Sequence, residues 1–330
     1  MKVASADRQG ATPASSSEAH DANASPTRVG VLGLGAMGFG IAANLVRGGF
    51  NVVGTDPDGD ARATAAAEGV TIHESPASLV GADPIAVVVV VRSFDQVRSA
   101  LFGGGSLTDG ARKLAPGTPV VIASTITPTQ MVEVANELAL HGLHGVGAGL
   151  SGGPWGARAG TLTWVVSGPP EAVSTIRPML EATGIEIQVL AGDVRLAHAA
   201  KLAVQAIYGV NMFGVFEALR LCQAYGVSPD DAMQLFTHSV ASSWIAENWD
   251  HVREWWQGGG NGLDILVKDM RGVQDEAHMQ SVSMPVTSLA FELLREVWPA
   301  YGHEFPAPDG PAPVPAPWGT REVGNEGDRP

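Results

Sequence analysis

One lysine stands in a setting that suits proton transfer. Lys201 lies within the apolar stretch LAHAAKLAVQAIYGV, with His198 three residues before it and Gln205 one helical turn after it on the same face. Burial disfavours the charged form of an amine, so the pKa of such a lysine falls toward the range that is useful near neutral pH. The same pattern fits a lysine whose stem packs at a domain boundary while its ammonium reaches water. The residues alone leave both interpretations open.

A glycine-rich turn lies near the start of the chain. The stretch GLGAMG follows the β-branched run VGVL and opens the helical pattern FGIAANLV. Gly33 and Gly35 permit a tight turn and a close backbone approach, and Gly38 permits close packing of helix on strand. The first helical turn, at Ala36 and Met37, presents free N–H groups to an anion. The pattern predicts the pyrophosphate site of a dinucleotide.

An acidic residue follows at the distance that dinucleotide sites require. Asp56 ends the run NVVGTD, 18 residues past Gly38. A carboxylate there accepts hydrogen bonds from the adenosine ribose and repels a 2′-phosphate. The following PDGDAR adds acids and delays its first arginine to Arg62, so we expect NAD in preference to NADP. The alternative for Asp56 is a turn-capping aspartate before Pro57.

Two further polar stretches are candidates for ligand contacts. Ser151, Gly152 and Gly153, in LSGGPWGARAGTL, offer a hydroxyl and unencumbered backbone amides, which together can cradle a carboxylate. Taken alone, such a stretch is more often a flexible turn. Thr125 follows a buried strand at the carboxyl edge of the predicted sheet, where open α/β sheets bind ligands.

The elements that must position these residues form two groups. Between Val29 and about Leu190, β-branched runs alternate with alanine-rich helical segments, which is typical of βαβ units on a parallel sheet. The run Ile85 to Val91 is continuously apolar, as expected of a mid-sheet strand covered on both faces. After Gly192 the pattern becomes helical. We therefore expect a doubly wound, mostly parallel α/β Rossmann domain followed by an all-α domain.

Helix signals and composition divide the chain further. A long helical pattern from about Asp193 ends at Gly226, and a second helix begins at Ser228, whose hydroxyl can cap it. Helical spacing continues from Ala241 to Trp256 and from Asp264 to Met279. We predict a disordered leader at 1–27, the NAD-binding domain at 28–191, an all-helical domain at 192–304, and a proline-rich tail at 305–330.

The composition excludes several classes of protein. A chain of 330 residues with 45% hydrophobic and 16% charged residues is globular, and its net charge of −14 disfavours nucleic-acid binding. The longest purely apolar run, Ile85 to Val91, is too short to cross a bilayer. The single cysteine, Cys222, fits a reducing compartment, and His141 and His144 lack nearby carboxylates for a metal. We expect a cytoplasmic protein without nucleic-acid, membrane or metal partners.

Taken together, the motifs resemble the β-hydroxyacid dehydrogenases, relatives of 3-hydroxyisobutyrate dehydrogenase. The resemblance covers about Val29 to Val297 and looks most like the L-threonate dehydrogenase branch. Five stretches carry it in the order of the family: GLGAMGFGIAANLVRGG, ASTITP, LSGGPWGARAGTL, KLAVQ and VKDM.

The resemblance implies an activity and roles for the candidate residues. It implies that Lys201 takes the hydroxyl proton of a small hydroxy acid while hydride passes to the nicotinamide, and that Ser151 to Gly153 hold the substrate carboxylate. It also implies that Thr125 contacts the cofactor and that Lys268 closes over it, although a solvated lysine paired with Asp269 fits the sequence equally well. It implies as well that the helical domain at 192–304 takes part in substrate binding and dimerisation, in a homodimer or homotetramer joined through the long helices.

Three departures from the family pattern bear on the substrate. Val204 stands where the family commonly has a polar residue, while Gln205 keeps the next polar position and is assigned to substrate binding. GAGLSGG replaces the usual DAPVSGG. Arg92 replaces the usual proline after the central strand, and it either contacts an anion of substrate or cofactor or is an exposed loop arginine.

Two other functions remain as alternatives. One is an imine reductase that acts on a cyclic C=N bond, against which Lys201 argues. The other is a non-catalytic NAD-binding protein.

Overall fold

The computed structural model describes residues 27–110, 112–256 and 262–297, so the predicted tail at 305–330 and all but the last residue of the predicted leader lie outside the described residues. One sheet of eight strands has the order β3-β2-β1-β4-β5-β6-β7-β8. The strands are β1 (Arg28–Leu32), β2 (Asn51–Thr55), β3 (Thr71–Ile72), β4 (Ala86–Val89), β5 (Pro119–Ile122), β6 (His144–Ser151), β7 (Leu162–Gly168) and β8 (Gly184–Ala191).

Helices flank the sheet and then continue without strands. The helices are α1 (Ala36–Arg47), α2 (Gly59–Ala67), α3 (Pro76–Leu79), α4 (Phe94–Phe102), α5 (Pro128–Leu140), α6 (Gly153–Ala159), α7 (Pro170–Thr183), α8 (Leu196–Ala224), α9 (Pro229–Thr237), α10 (Trp244–Glu247), α11 (Trp249–Trp256), α12 (Gly262–Met279) and α13 (Pro285–Val297). The first seven lie between strands, and the last six follow the sheet. The predicted fold class is confirmed: a doubly wound, mostly parallel α/β Rossmann unit followed by a helical region.

The first six strands of the sheet are parallel, as the alternating pattern predicted. β4 pairs on one side with β1 and on the other with β5, and all four of its residues are buried, which confirms a mid-sheet strand. The apolar run is longer than the strand because its ends have other neighbours. Ile85 is 40% exposed, and the Val90 carbonyl lies against the turn at Gly33.

β6 is the strand that the sequence shows least clearly. Three of its eight residues are glycine, which has low β propensity, yet it pairs in parallel with β5 and antiparallel with β7. A Cβ added at Gly147 would lie 2.4 Å from the Val194 carbonyl oxygen, and one at Gly149 would lie 2.8 Å from Cβ of Lys201. The glycines therefore let the start of α8 pack directly on β6.

In the helical region the predicted stop after α8 and the predicted cap of α9 are confirmed, and one predicted helix is divided in two. Gly226, at φ 80°, follows the end of α8, and the Ser228 hydroxyl accepts from the Asp231 N–H to cap α9. The predicted helix from Ala241 to Trp256 is two helices, α10 and α11, because Asn248 leaves the helical conformation with φ −121° and ψ 35°.

Of the described helices, only α8 is long and apolar enough to cross a membrane by length and composition. The core helix of a soluble protein has the same length and composition. α8 packs against β6, β7, α12 and α13, and it carries the buried side chains of His198 and Lys201. Its apolar character is therefore accounted for in part by its place between the sheet and the other helices.

Candidate active site

The predicted ligand-binding residues meet at one edge of the sheet. The glycine turn follows β1, Asp56 follows β2, Arg92 follows β4, Thr125 follows β5 and Ser151 ends β6. These strands are parallel to one another, so their carboxyl ends all lie on the same side. Open α/β sheets bind ligands in the crevice outside this edge.

The glycine turn after β1 is tightly packed at two glycines and open at the third. Gly33 has φ 95°, and a Cβ there would lie 2.2 Å from the Val90 carbonyl oxygen; one at Gly38 would lie 1.9 Å from the Gly33 carbonyl oxygen. These two glycines are needed for packing. A Cβ at Gly35 would meet nothing within 4 Å, and no described side chain caps the N–H groups of Ala36 and Met37. The open space and free donors fit the phosphates of a dinucleotide.

The carboxylate of Asp56 is tied to this turn. Its Oδ2 accepts from the Leu34 N–H at 2.7 Å, and its Oδ1 accepts from the Asp58 N–H at 2.8 Å. Asp56 is thus a turn-capping residue in the structure, and each oxygen keeps a lone pair with which a ribose hydroxyl can bond. The Arg62 guanidinium folds back onto the Asp56 and Pro57 carbonyl oxygens at 2.7 and 3.1 Å.

The segment Ser151 to Gly153 connects the end of β6 to α6. Gly152 has φ 124° and Gly153 has φ 60°, and these conformations favour glycine. α6, which begins at Gly153, is held against α1, because the Asn44 amide of α1 donates to the Ala157 carbonyl oxygen of α6 at 2.7 Å. The segment can therefore present backbone N–H groups to an anion from a fixed position.

An aromatic pair stands beside this segment. The Trp155 ring lies 3.1 Å from the position of a Cβ on Gly153, and it stacks on the His251 ring of α11 with a centroid distance of 4.0 Å and an interplanar angle of 23°. The sequence interpretation did not foresee this contact. The stack joins α6, which follows the turn, to α11 of the helical region.

Lys201 lies near this turn. Its Cβ packs against Gly149 of β6, which is two residues before Ser151 along the strand. The residue is only 9% exposed. Burial lowers the pKa of its amine, the charge of Asp269 raises it and the charge of Lys268 lowers it. The balance is downward, as the sequence interpretation expected for a proton-transfer lysine.

Lys201 begins a chain of polar contacts that leads to α12. Its Nζ donates to Oε1 of Gln205 at 3.0 Å, and Nε2 of Gln205 donates to Oδ2 of Asp269 at 2.5 Å. Oδ1 of Asp269 lies 2.7 Å from Nζ of Lys268, an ion pair without the alignment of a hydrogen bond. Asp269 is 2% exposed. Gln205 therefore uses both ends of its amide within the protein.

Two contacts from α12 cross to the sheet edge. Lys268 donates to the Thr125 carbonyl oxygen at 2.6 Å, and Arg92 forms an ion pair with Asp264, one turn before Lys268. The structure thus brings Thr125 and Lys268 together and gives Arg92 a protein carboxylate as partner. Asp264 and Asp269 are the residues that the sequence interpretation did not assign; the pairing of Arg92 with α12 could not be found from local spacing.

His198 is buried on α8 three residues before Lys201, and Tyr208, seven residues after it, is half-buried with its hydroxyl out of contact with solvent. Neither ring nitrogen of His198 has a hydrogen-bond partner among the described residues, and burial lowers its pKa to about 4. Its ring lies against Gly147, where the family pattern has aspartate. Burial raises the pKa of the Tyr208 hydroxyl. Val204, by contrast, is 46% exposed.

No group of three His, Cys, Asp or Glu side chains that could hold a metal ion occurs within 27–110, 112–256 and 262–297. The groups that the structure brings together at this edge of the sheet are the buried Lys201 amine, the turn at Ser151 to Gly153 and the glycine turn after β1.

Comparison with known proteins agrees with this geometry. Residues 28–192 match the model of the NAD-binding domain of 6-phosphogluconate dehydrogenase. Residues 196–305 match the model described as the NAD-binding domain of NADP-dependent 3-hydroxyisobutyrate dehydrogenase.

Individual relatives span most of the chain. L-threonate dehydrogenase from Cupriavidus necator is 32% identical over 80% of this chain and 88% of its own length. NAD-dependent L-serine dehydrogenase from Pseudomonas aeruginosa is 30% identical over 81% of this chain and 91% of its own. The crystal structure of 3-hydroxyisobutyrate dehydrogenase from Salmonella typhimurium superposes with a TM-score of 0.74 at 28% identity, covering 83% of this chain and 95% of that one.

Proposed function

Because the chain belongs to the β-hydroxyacid dehydrogenase family of the 3-hydroxyisobutyrate dehydrogenase type, we propose that it interconverts a small hydroxy acid and its oxo acid or semialdehyde with NAD, and that Lys201 is the general acid and base. The observation that carries the proposal is the buried Lys201 amine. It stands at the ligand edge of the sheet, beside a turn suited to a carboxylate.

In the oxidation direction, the hydride and the proton of the hydroxy acid go to different groups. NAD, when bound, supplies the hydride acceptor for the carbinol carbon. The neutral amine of Lys201 takes the hydroxyl proton as the C–H bond breaks and the C=O bond forms, and in reduction its ammonium returns that proton. The low exposure of Lys201 keeps water from competing, and its lowered pKa makes the neutral form available.

The cofactor would be held at the carboxyl ends of β1 and β2. Gly33, Gly35 and Gly38, with the N–H groups of Ala36 and Met37, suit the pyrophosphate, and Asp56 suits the adenosine ribose. NAD is favoured over NADP because Asp56, Asp58 and Asp60 follow β2 closely, and their negative charge would repel a 2′-phosphate.

The remaining site residues follow the same logic. Thr125 and Lys268, which already touch each other, would flank the nicotinamide end. For Arg92 the ion pair with Asp264 supports a role in holding α12 to the sheet over a direct contact with a ligand anion.

The substrate is a small carboxylate held by Ser151, Gly152 and Gly153. L-threonate and 3-hydroxyisobutyrate are the first candidates, because similar proteins bear those names. Val204 removes one polar contact near Lys201, which favours the less hydroxylated acid. Gln205 lies close enough to Lys201 to meet the substrate as well, although both ends of its amide have protein partners.

We also propose the organisation of the whole molecule. The NAD-binding domain spans 28–191 and the helical domain 192–304, since the last strand ends at Ala191 and α8 begins at Leu196. A homodimer or homotetramer is supported by one face of α8, where Ile207 and Leu221 are each 63% exposed. The single cysteine and acidic charge fit a cytoplasmic protein without nucleic-acid partners.

The proposal is tested by absorbance of reduced nicotinamide. The full chain with NAD or NADP is assayed against L-threonate, D-erythronate, 3-hydroxyisobutyrate, glycerate and L-serine, with Lys201→Met and, as a matched control, Lys113→Met, whose lysine is exposed in a loop. NAD reduction with one acid that disappears only in Lys201→Met supports the proposal. Silence across the panel, or turnover of a cyclic imine with NADPH instead, contradicts it.

A further inference from the structure

The amide of Gln205 has two orientations that differ only in which end faces Lys201. Side-chain amides place oxygen and nitrogen at nearly equivalent positions, so their partners decide between the orientations. Here the partners are Lys201 on one side and Asp269 on the other, at 3.0 and 2.5 Å. An ionised carboxylate accepts hydrogen bonds and cannot donate them. The end that faces Asp269 must therefore be the NH2 group, which leaves the oxygen for Lys201.

The orientation matters for the lone pair of Lys201. A neutral amine has two N–H groups and one lone pair. When Oε1 of Gln205 faces it, one N–H is used and the lone pair stays free. When Nε2 faces it, an amide N–H donates into the lone pair and competes with the substrate hydroxyl.

We propose that Asp269 is a positioning residue that holds the Gln205 amide with its oxygen toward Lys201, so that the lone pair of the amine remains free for the substrate proton. This rests on the proposed role of Lys201 as the base. It assigns Gln205 to the orientation of Lys201 in addition to any contact with substrate.

Lys268 determines which way an amide at residue 269 would be oriented. Its ammonium lies 2.7 Å from Oδ1 of Asp269 and donates to the Thr125 carbonyl oxygen. In an Asp269→Asn variant, that ammonium would keep the amide oxygen of residue 269 on its side and turn the NH2 group toward Gln205. Gln205 would then present Oε1 to residue 269 and Nε2 to Lys201. A change of one atom at residue 269 should thus invert the amide next to the base.

The charges near Lys201 must be counted in the same experiment. The groups that face it are Asp269 and Lys268 of α12 and the neutral His198 of its own helix, while β6 presents glycines. Removing the charge of Asp269 leaves Lys268 uncompensated, so the pKa of Lys201 falls in Asp269→Asn. A fall in amine reactivity therefore has two causes, the field and the inverted amide, and a second variant must separate them.

The test measures how fast the Lys201 amine reacts with an acylating agent, which requires a free lone pair. Full-length protein is labelled with trace acetic anhydride from about pH 6 to about pH 11, and the acetylation rate of the Lys201 peptide is measured by mass spectrometry. The variants are Asp269→Asn, the double variant Gln205→Leu with Asp269→Asn, and the control Asp275→Asn, an exposed acid on the same helix. The double variant has the same charge as Asp269→Asn but no amide beside the amine. Circular dichroism and thermal unfolding check that each variant is folded.

The proposal expects three results. In Asp269→Asn the titration midpoint of Lys201 falls and its high-pH reactivity drops at least about fivefold, because a competing hydrogen bond changes an equilibrium by roughly five- to tenfold. In the double variant the midpoint stays low but the reactivity recovers. In Asp275→Asn neither changes.

Two results overturn it. One is an unchanged acetylation rate of Lys201 at high pH in Asp269→Asn. The other is a lowered rate that stays equally low in the double variant, because the lost charge at residue 269 would then explain the whole effect. Labelling needs no turnover, so it is independent of the proposed activity. If Lys201→Met retains full turnover of a hydroxy acid, the proposed function fails while the amide orientation can still hold.

Discussion

Gly149→Ala tests whether the contact of β6 with α8 positions Lys201. The added Cβ would lie 2.8 Å from Cβ of Lys201, 2.9 Å from Cγ1 of Val165 and 3.2 Å from the Ala197 carbonyl oxygen. Carbon atoms in contact prefer separations of about 3.5–4.0 Å. Two of the three neighbours belong to the start of α8, so this segment must retreat from the strand by about 1 Å.

The expected effect falls on turnover more than on binding. A misplacement of about 1 Å in a reacting group can cost about 100-fold in rate, so kcat for hydroxy-acid oxidation should fall about 10- to 100-fold. The turn at Ser151 to Gly153 and the glycine turn after β1 do not move with α8, so KM for acid and for NAD should change little. Overpacking should also lower the free energy of unfolding by about 1–3 kcal/mol.

The assay is steady-state absorbance of reduced nicotinamide with the acid identified in the panel, together with thermal unfolding. Gly81→Ala is the control, because a Cβ there meets nothing within 4 Å. If Gly149→Ala keeps kcat within about twofold of the parent while losing stability, the steric clash is real but Lys201 is not positioned by this contact. If neither value changes, the close approach itself is wrong.

Three further predictions follow from the site. Gly35→Ala should leave the unfolding temperature unchanged, since the added methyl meets no protein atom, yet weaken NAD binding measured by calorimetry; equal NAD affinity would place the pyrophosphate elsewhere. The folded pKa of His198, about 4, lies below the ordinary value of 6.5, so the unfolded chain binds the proton first as pH falls. The free energy of unfolding should then decrease from about pH 6.5 toward about pH 4 by on the order of 3 kcal/mol, and a His198→Gln variant should lack this slope in chemical denaturation. Arg92→Met and Asp264→Asn should have similar effects on stability and on KM if their ion pair joins α12 to the sheet; a large rise in KM for NAD or acid in Arg92→Met alone would show that the arginine binds a ligand anion.

The features that the sequence predicted are those with a local cause. Three of them are the glycine turn, the mid-sheet strand β4 and the capped start of α9. Each depends on residues that are only a few positions apart in the sequence. The apolar surroundings of Lys201 fitted either a buried proton-transfer lysine or a lysine whose ammonium reaches water, and only the family resemblance gave it the role of base; its low exposure agrees with the buried interpretation.

The features that the sequence missed depend on distant partners. Nothing near Gln205 along the chain indicates that Asp269, 64 residues away, takes one end of its amide. The ion pair of Arg92 with Asp264 is likewise visible only after α12 packs against the sheet. Strand β6 was not predicted, because its glycines have poor β propensity and only the pairing with β5 and β7 makes it a strand.

The amide of Asn44 has a consequence for how such enzymes can diversify. It joins α1, which begins at the glycine turn, to α6, which begins at Gly153, through the Ala157 carbonyl oxygen. If the two turns bind the pyrophosphate and the carboxylate as proposed, the spacing between those ligands is set by the protein alone. Mutations that adapt the enzyme to a longer or bulkier acid are thus constrained on the sheet side. Side chains of α8 and α11 on the helical side of the proposed site can be exchanged without altering the hydrogen bond between α1 and α6.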